Sequence, residues 1–258
     1  MIQFAGLDPF LQFHPAVPED LKNQEGHLPT LAVQWDQAPE LVWTLRLTEM
    51  MGSRTQKWGY QPHTLWQAAG AGALSYTDCP IAGQGQAQGR CSCKAWAADD
   101  ALFFELSLCN DGTETWEDCW AWLCLIHRWA RAFQANCELP AGAAEQLWVP
   151  TSGLRAPMER WLKMCPFHER GELSYRIGEN QGTRWQPQIV AHHGAVRAWR
   201  IEGNRRQFIQ LSSPDAALLG WSHWPCTDMG VCFGTLEPGQ VGRVSGQLEF
   251  FEETFEPI

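Results

Sequence analysis

Phe104, Leu106 and Leu108 alternate with Glu105, Ser107 and Cys109, so one side of an extended chain is apolar and the other polar. A period of two marks a strand with one buried face. Asn110-Asp111-Gly112-Thr113 follows, a turn sequence because Asn, Asp and Gly tolerate positive φ. The next run, Cys119 to Ile126, is apolar at every position, with Trp120 and Trp122 on one side of the pleat and Ala121 and Leu123 on the other. A run apolar on both faces predicts a strand buried within a sandwich. It ends in His127-Arg128-Trp129-Ala130-Arg131. A central strand is therefore expected to deliver a His, two Arg and a Trp to one rim of the fold.

Shorter stretches with the same signal predict further strands. Leu31 to Trp35 and Leu41 to Leu47 are joined by a turn at Asp36-Gln37-Ala38-Pro39. Cys91 to Trp96 is expected to pair with Phe103 to Leu108 across Ala98-Asp99-Asp100. Gln188 to His193, Ala195 to Ile201, Gln207 to Leu211 and Val244 to Phe251 complete the set, with turns at Gly203-Asn204 and Pro238-Gly239. Residues 1–30 are weakly periodic, and Asp8-Pro9 and His14-Pro15 favour extended or turn geometry, which predicts an arm laid over the surface. Gly83 to Gly89 has the glycines of a phosphate loop but no Lys-Ser/Thr pair, and reads as a flexible turn. Met158 to Met164, between Pro157 and Pro166, is the one segment of helical character. There is no domain linker and no internal repeat. Short strands separated by Gly, Pro and Asn turns predict one all-β domain, a large two-sheet antiparallel sandwich over residues 1–258.

Composition changes this picture in three ways. The net charge of −10 argues against nucleic acid and against an anionic membrane surface as partners, since both select basic proteins. Fifteen Trp against three Tyr is a strong bias; most should fill a thick core, and any left exposed would offer stacking platforms for sugar rings. Ten Cys, several of them inside apolar runs, read as reduced core thiols. With no secretory leader at the N-terminus, the expected location is cytoplasmic.

The C-terminal third carries a resemblance. Trp221-Ser-His-Trp-Pro-Cys226, then Gly230-Val-Cys-Phe-Gly234-Thr-Leu-Glu-Pro-Gly239, then Gly246-Gln-Leu-Glu-Phe250 resembles the closing pattern of bacterial all-β proteins of the galactose-mutarotase-like supersandwich type. Leu106-Ser-Leu-Cys-Asn110, followed by a Trp and an apolar strand, is similar to the middle of such proteins. The chain departs from the pattern at Asp228-Met229-Gly230, where a His-Asp-Pro type of loop is usual, and at Gln240, where Glu is usual. The resemblance implies the supersandwich fold and a carbohydrate-related role; fold alone does not set function.

Epimerising or ring-opening a sugar needs an acid and a base on opposite sides of the ring, which His with Glu or Asp can supply. His127, His192 and His223 lie at or near predicted strand ends and are the catalytic candidates. Arg128 and Arg131 would orient a substrate, Trp66, Trp129 and Trp224 would stack on it, and Asp228 would bind it. Cys91-x-Cys93 and His223 with Cys226 and Cys232 are zinc-ligand types without the paired spacing of a zinc site, so no metal and no cofactor is expected. No Gly-x-Ser-x-Gly elbow is present. The expected partner is a mono- or oligosaccharide. The reaction stays open between an aldose-epimerase-like, a lyase-like and a hydrolytic step; a non-catalytic carbohydrate-binding sandwich and a protein-interaction sandwich are the alternatives.

Overall fold

A computed structural model describes residues 1–7, 29–60, 66–82, 87–127, 130, 137–140, 161–163, 173–177, 189–191, 195–222 and 226–254. In chain order the strands are β1 (Ile2–Leu7), β2 (Thr30–Trp35), β3 (Ala38–Gly52), β4 (Lys57–Tyr60), β5 (Gln67–Ala68) and β6 (Ala73–Ala82). There follow β7 (Ala87–Ala98), β8 (Ala101–Asn110), β9 (Trp116–Ile126), β10 (Cys137–Pro140), β11 (Trp161–Lys163) and β12 (Leu173–Ile177). The last are β13 (Ile189–Ala191), β14 (Ala195–Glu202), β15 (Arg205–Ser212), β16 (Ala216–Ser222), β17 (Cys226–Leu236) and β18 (Val241–Thr254).

These strands form two antiparallel sheets. The first runs β1-β2-β3-β9-β17-β16-β12-β13, with a parallel pair only at β12 and β13. The second runs β5-β6-β7-β8-β18-β15-β14-β10-β11. Strand β4 pairs with both β3 and β6 and joins the sheets at one edge. As its two apolar faces require, β9 lies inside the first sheet between β3 and β17.

The core lies between the inner faces. Leu102, Phe104, Leu106 and Leu108 of β8 point into it and are wholly buried, as their alternation predicts. From the first sheet come Leu31, Val33, Trp43, Leu45, Ala121, Leu123, Leu125, Met229 and Val231. Aromatic rings lock the layers together: Trp35 stacks on Phe250 at 5.5 Å, Trp43 meets the same ring edge-on at 5.0 Å, and Trp58 packs on Trp116 at 4.4 Å. Burial of such rings is the main favourable contribution to folding. Trp35, Trp43, Trp58 and Trp116 are buried, whereas Trp66, Trp96, Trp120, Trp122 and Trp199 are only partly so.

The turns follow their residues. Asn110 ends β8 fully buried, and its amide donates to the carbonyls of Glu114 and Leu236 at 2.8 and 2.9 Å while accepting from the Gly112 N–H at 2.9 Å. Its backbone is bonded on both sides to the Pro238-Gly239 turn, so one buried Asn ties two hairpins together. Gly239 sits at φ 78°, the left-handed region that this turn needs at its second central residue. Among the described residues Cys79, Cys91, Cys93, Cys109, Cys119, Cys124 and Cys232 are all free thiols.

Three expectations change. Residues 2–7, read as part of an arm laid over the surface, form a sheet strand. They pair with β2 along their full length, Ile2 is buried, and the terminal ammonium donates to Asp100 at 2.5 Å; residues 8–28 lie outside the described residues. Trp161–Lys163, inside the stretch read as helical, pairs with β10 as a strand; a segment of about two turns is too short to hold a helix against an open sheet edge. Ala87 to Gly89 belong to β7, where Gly89 pairs with Asn110, while residues 83–86 lie outside the described residues.

Candidate functional site

On the first sheet the core face takes Ala121, Leu123 and Leu125 of β9. Alternation then puts Trp120, Trp122, Cys124 and Ile126 on the outer face. Pairing carries that face across the neighbouring strands. Cys124 lies opposite Arg46 of β3 on one side and Asp228 of β17 on the other. Trp122 lies opposite Met50 and Gly230. One row reads Arg46, Cys124, Asp228; the next, about 7 Å along the strands, reads Met50, Trp122, Gly230.

A bulge completes the cluster. The register between β3 and β9 shifts between Arg46 and Met50, so four steps along β3 run beside two along β9. Such bulges re-aim side chains. Here Glu49 accepts a hydrogen bond from Arg46, Nη1 to Oε1 2.6 Å. One ligand atom each from Glu49, Cys124 and Asp228 lies within 4.8 Å of the other two. Cys124 is 2% and Asp228 5% exposed, whereas the Glu49 side chain is 29% exposed and opens the cluster to solvent.

Two carboxylates converge here from strands on either side of β9, with a thiol between them and a guanidinium fixed to one of them. Such a set can accept a proton, return it, and hold hydroxyl groups by charge-assisted hydrogen bonds. The donor types also suit a cation. Arg46, however, puts a permanent positive charge against Glu49, which opposes a metal ion at that place. The indole of Trp122 stands one row away. Its cross-strand neighbour on β17 is Gly230, which has no side chain. Trp120, on the same face, is held by donation from Nε1 to the Ser53 carbonyl at 3.3 Å.

Of the residues expected from sequence, Asp228 is in this cluster. His127 stands one residue past the end of β9, wholly buried, its carbonyl accepting from the Ala130 N–H at 2.8 Å. Burial pulls its imidazole down to about 3 from the ordinary 6.5, so the ring is neutral near pH 7 and has no imidazolium proton to donate. Trp66 packs edge-on to Tyr76 at 4.9 Å and lies against Gly6 of β1, where an added Cβ would meet its own Cβ at 2.5 Å. Strand β1 is four strand spacings from β17, about 19 Å, so Trp66 lies outside the Asp228 cluster. His192, His223, Arg128, Trp129, Arg131 and Trp224 lie outside the described residues.

Arg46, Glu49, Cys124 and Trp122 were missed as site residues. The local signal was Arg46 three residues before Glu49 in β3; Cys124 and Trp122 are indistinguishable in sequence from core residues.

No family model matches the chain, and none of the curated proteins matches it. Solved structures do. A GH36 alpha-galactosidase from Geobacillus stearothermophilus, in complex with 1-deoxygalactonojirimycin, is 8% identical with TM-score 0.44 over 80% of this chain, and the chain spans only 30% of that protein's length. A galactose mutarotase related enzyme from Lactobacillus acidophilus is 8% identical with TM-score 0.43, over 90% of this chain and 97% of its own. A putative aldose 1-epimerase from Escherichia coli is 12% identical with TM-score 0.39, over 80% and 79% respectively. At such values the likeness is one of fold, and the chemistry of the site is read from its own side chains.

Proposed function

We propose that the outer face of the first sheet is a carbohydrate site and that Glu49 and Asp228 exchange protons with a sugar held there, as an aldose-epimerase-like or lyase-like reaction requires. The observation that carries this reading is the convergence of Glu49, Cys124 and Asp228 within 4.8 Å, with Arg46 bound to Glu49 and the half-buried Trp122 one row away. The C–H face of a pyranose packs on an indole, while its hydroxyls hydrogen-bond to the carboxylates and guanidinium. With ligand atoms within 4.8 Å of each other, Glu49 and Asp228 meet one edge of a bound ring, where one carboxylate can take a proton and the other return it.

The test is anomer or epimer interconversion by NMR across a panel of free aldoses, with Glu49→Gln and Asp228→Asn beside the wild type. Each variant should lower kcat by about 10²- to 10⁴-fold, with KM changed far less. His192→Ala and His223→Ala enter the same assay as candidates for a second proton donor. Turnover unchanged in both carboxamide variants would remove the acid–base assignment. Trp120 and Trp122 on one face favour a second reading, binding without catalysis: sugars would then raise the melting temperature of the wild type with no turnover, and Trp122→Ala would abolish the rise.

A further inference from the structure

The second sheet carries a cavity of about 450 Å³ on its outer side, within the roughly 300–1,000 Å³ of small-molecule sites. One cross-strand row spans it: Trp96 of β7, Phe103 of β8, Gln247 of β18, Ser212 of β15 and Ala195 of β14. Their chain neighbours Ala95, Leu102, Phe104, Leu211, Leu248 and Val196 are core residues, so the row faces outward.

The cavity is built from three parts. Its wall is aromatic: Trp96 and Phe103 are stacked at 5.8 Å with their planes 16° apart, and the Lys94 ammonium sits 5.7 Å from the Trp96 ring. Its floor opens at Gly246, where a Cβ would lie 2.3 Å from Phe104 Cζ, so the glycine lets the edge of a core ring reach the cavity. Its rim is polar and held in place. The Ser213 hydroxyl donates to the Ser245 carbonyl at 2.6 Å and accepts from the Asp215 N–H at 3.1 Å, and the Ser245 N–H donates to Asp215 at 2.9 Å. Ser213 and Asp215 are thereby committed to fixing the loop after β15 against β18. The amide of Gln247 and the hydroxyls of Ser212 and Ser245 are left to line the space.

We propose that this cavity is a second, non-catalytic site for a neutral pyranose. The residues that line the space itself are uncharged, and of the two charges beside it the Asp215 carboxylate is engaged by the Ser245 N–H and the Lys94 ammonium lies by the Trp96 ring, which disfavours an ionic ligand. A purely apolar ligand would leave the Gln247 amide and the serine hydroxyls without partners. A ring with a C–H face and equatorial hydroxyls satisfies both the aromatic wall and the polar rim. The rim is preorganised, so little ordering cost falls on binding. The site is separate from the Asp228 cluster because the two open on opposite sides of a sandwich whose sheets are about 10 Å apart, and it stands whether or not that cluster turns over a sugar.

The experiment is saturation-transfer NMR with methyl α- and β-glucoside, methyl α- and β-galactoside, lactose, maltose and cellobiose, on wild type, Trp96→Ala, Gln247→Leu, Trp96→Phe and Asp228→Asn. At least one sugar should bind. Its affinity should fall about tenfold or more in Trp96→Ala and Gln247→Leu, as for loss of a central aromatic or amide contact. It should stay within about threefold in Asp228→Asn and in Trp96→Phe, which keeps an aromatic wall. Circular dichroism and melting temperature confirm that each variant is folded, and Gln247→Leu carries the test if Trp96→Ala is not. Binding by no member of the panel, or binding that survives both cavity variants, overturns the proposal. Binding lost only in Asp228→Asn assigns the sugar to the first sheet and overturns it too, whereas failure of the turnover assay leaves this result untouched.

Discussion

Lowering the pH from 7.5 to 5 should cost this protein about 2 kcal/mol of stability through His127 alone. The imidazole is wholly buried, and burial holds it near 3 against the ordinary 6.5. In the unfolded chain the ring takes up a proton at the ordinary value, while in the folded protein it resists until near 3. Stability from this group is therefore complete above pH 6.5 and falls between 6.5 and 3, with a slope approaching about 1.4 kcal/mol per pH unit because only the unfolded state binds the proton. The assay is urea unfolding of wild type and His127→Gln at pH 7.5, 6 and 5. The variant changes packing equally at every pH, and carboxylate titration is common to both proteins and cancels in the difference. The wild-type advantage should shrink by about 2 kcal/mol between pH 7.5 and 5. Curves that run parallel to within about 0.5 kcal/mol would refute the reasoning, since they would mean that His127 titrates alike in folded and unfolded states.

Other substitutions test the frame that carries the two sites. Asn110→Ala removes three side-chain hydrogen bonds at a fully buried position, and should lower unfolding free energy by about 2–4 kcal/mol in urea titration. Phe104→Ala, at a position with no exposure, should cost about 3–5 kcal/mol by the same measurement. Gly239→Ala places a Cβ at φ 78° and should lose about 1 kcal/mol, read as a fall of a few degrees in melting temperature, with Gly239→Asn losing less because Asn tolerates that region.

Much of the frame was legible because its signals are local. The β8 alternation, the Asn110 turn, the two apolar faces of β9 and the Pro238-Gly239 turn each depend on residues a few positions apart, and the structure keeps all of them. Local signals failed where pairing partners decide. Trp161–Lys163 became a strand because β10 offers it backbone partners, and the first residues became an edge strand because β2 does.

The site was legible at one residue. Asp228 was marked only as part of Asp228-Met229-Gly230, where the chain departs from the supersandwich pattern, and its companions Arg46, Glu49 and Cys124 lie far away in sequence. A strand pattern states which residues share a face, not which strand lies next to it, nor that a bulge turns Glu49 toward its neighbour. By itself, then, the order of residues determined an all-β sandwich, its turns and the membership of its core, because those follow from side-chain period and backbone freedom. Only the tertiary structure decided that β3, β9 and β17 are neighbours, and hence that Arg46, Cys124 and Asp228 form one row, because hydrogen-bond register between distant strands is set by the packing of the whole sheet.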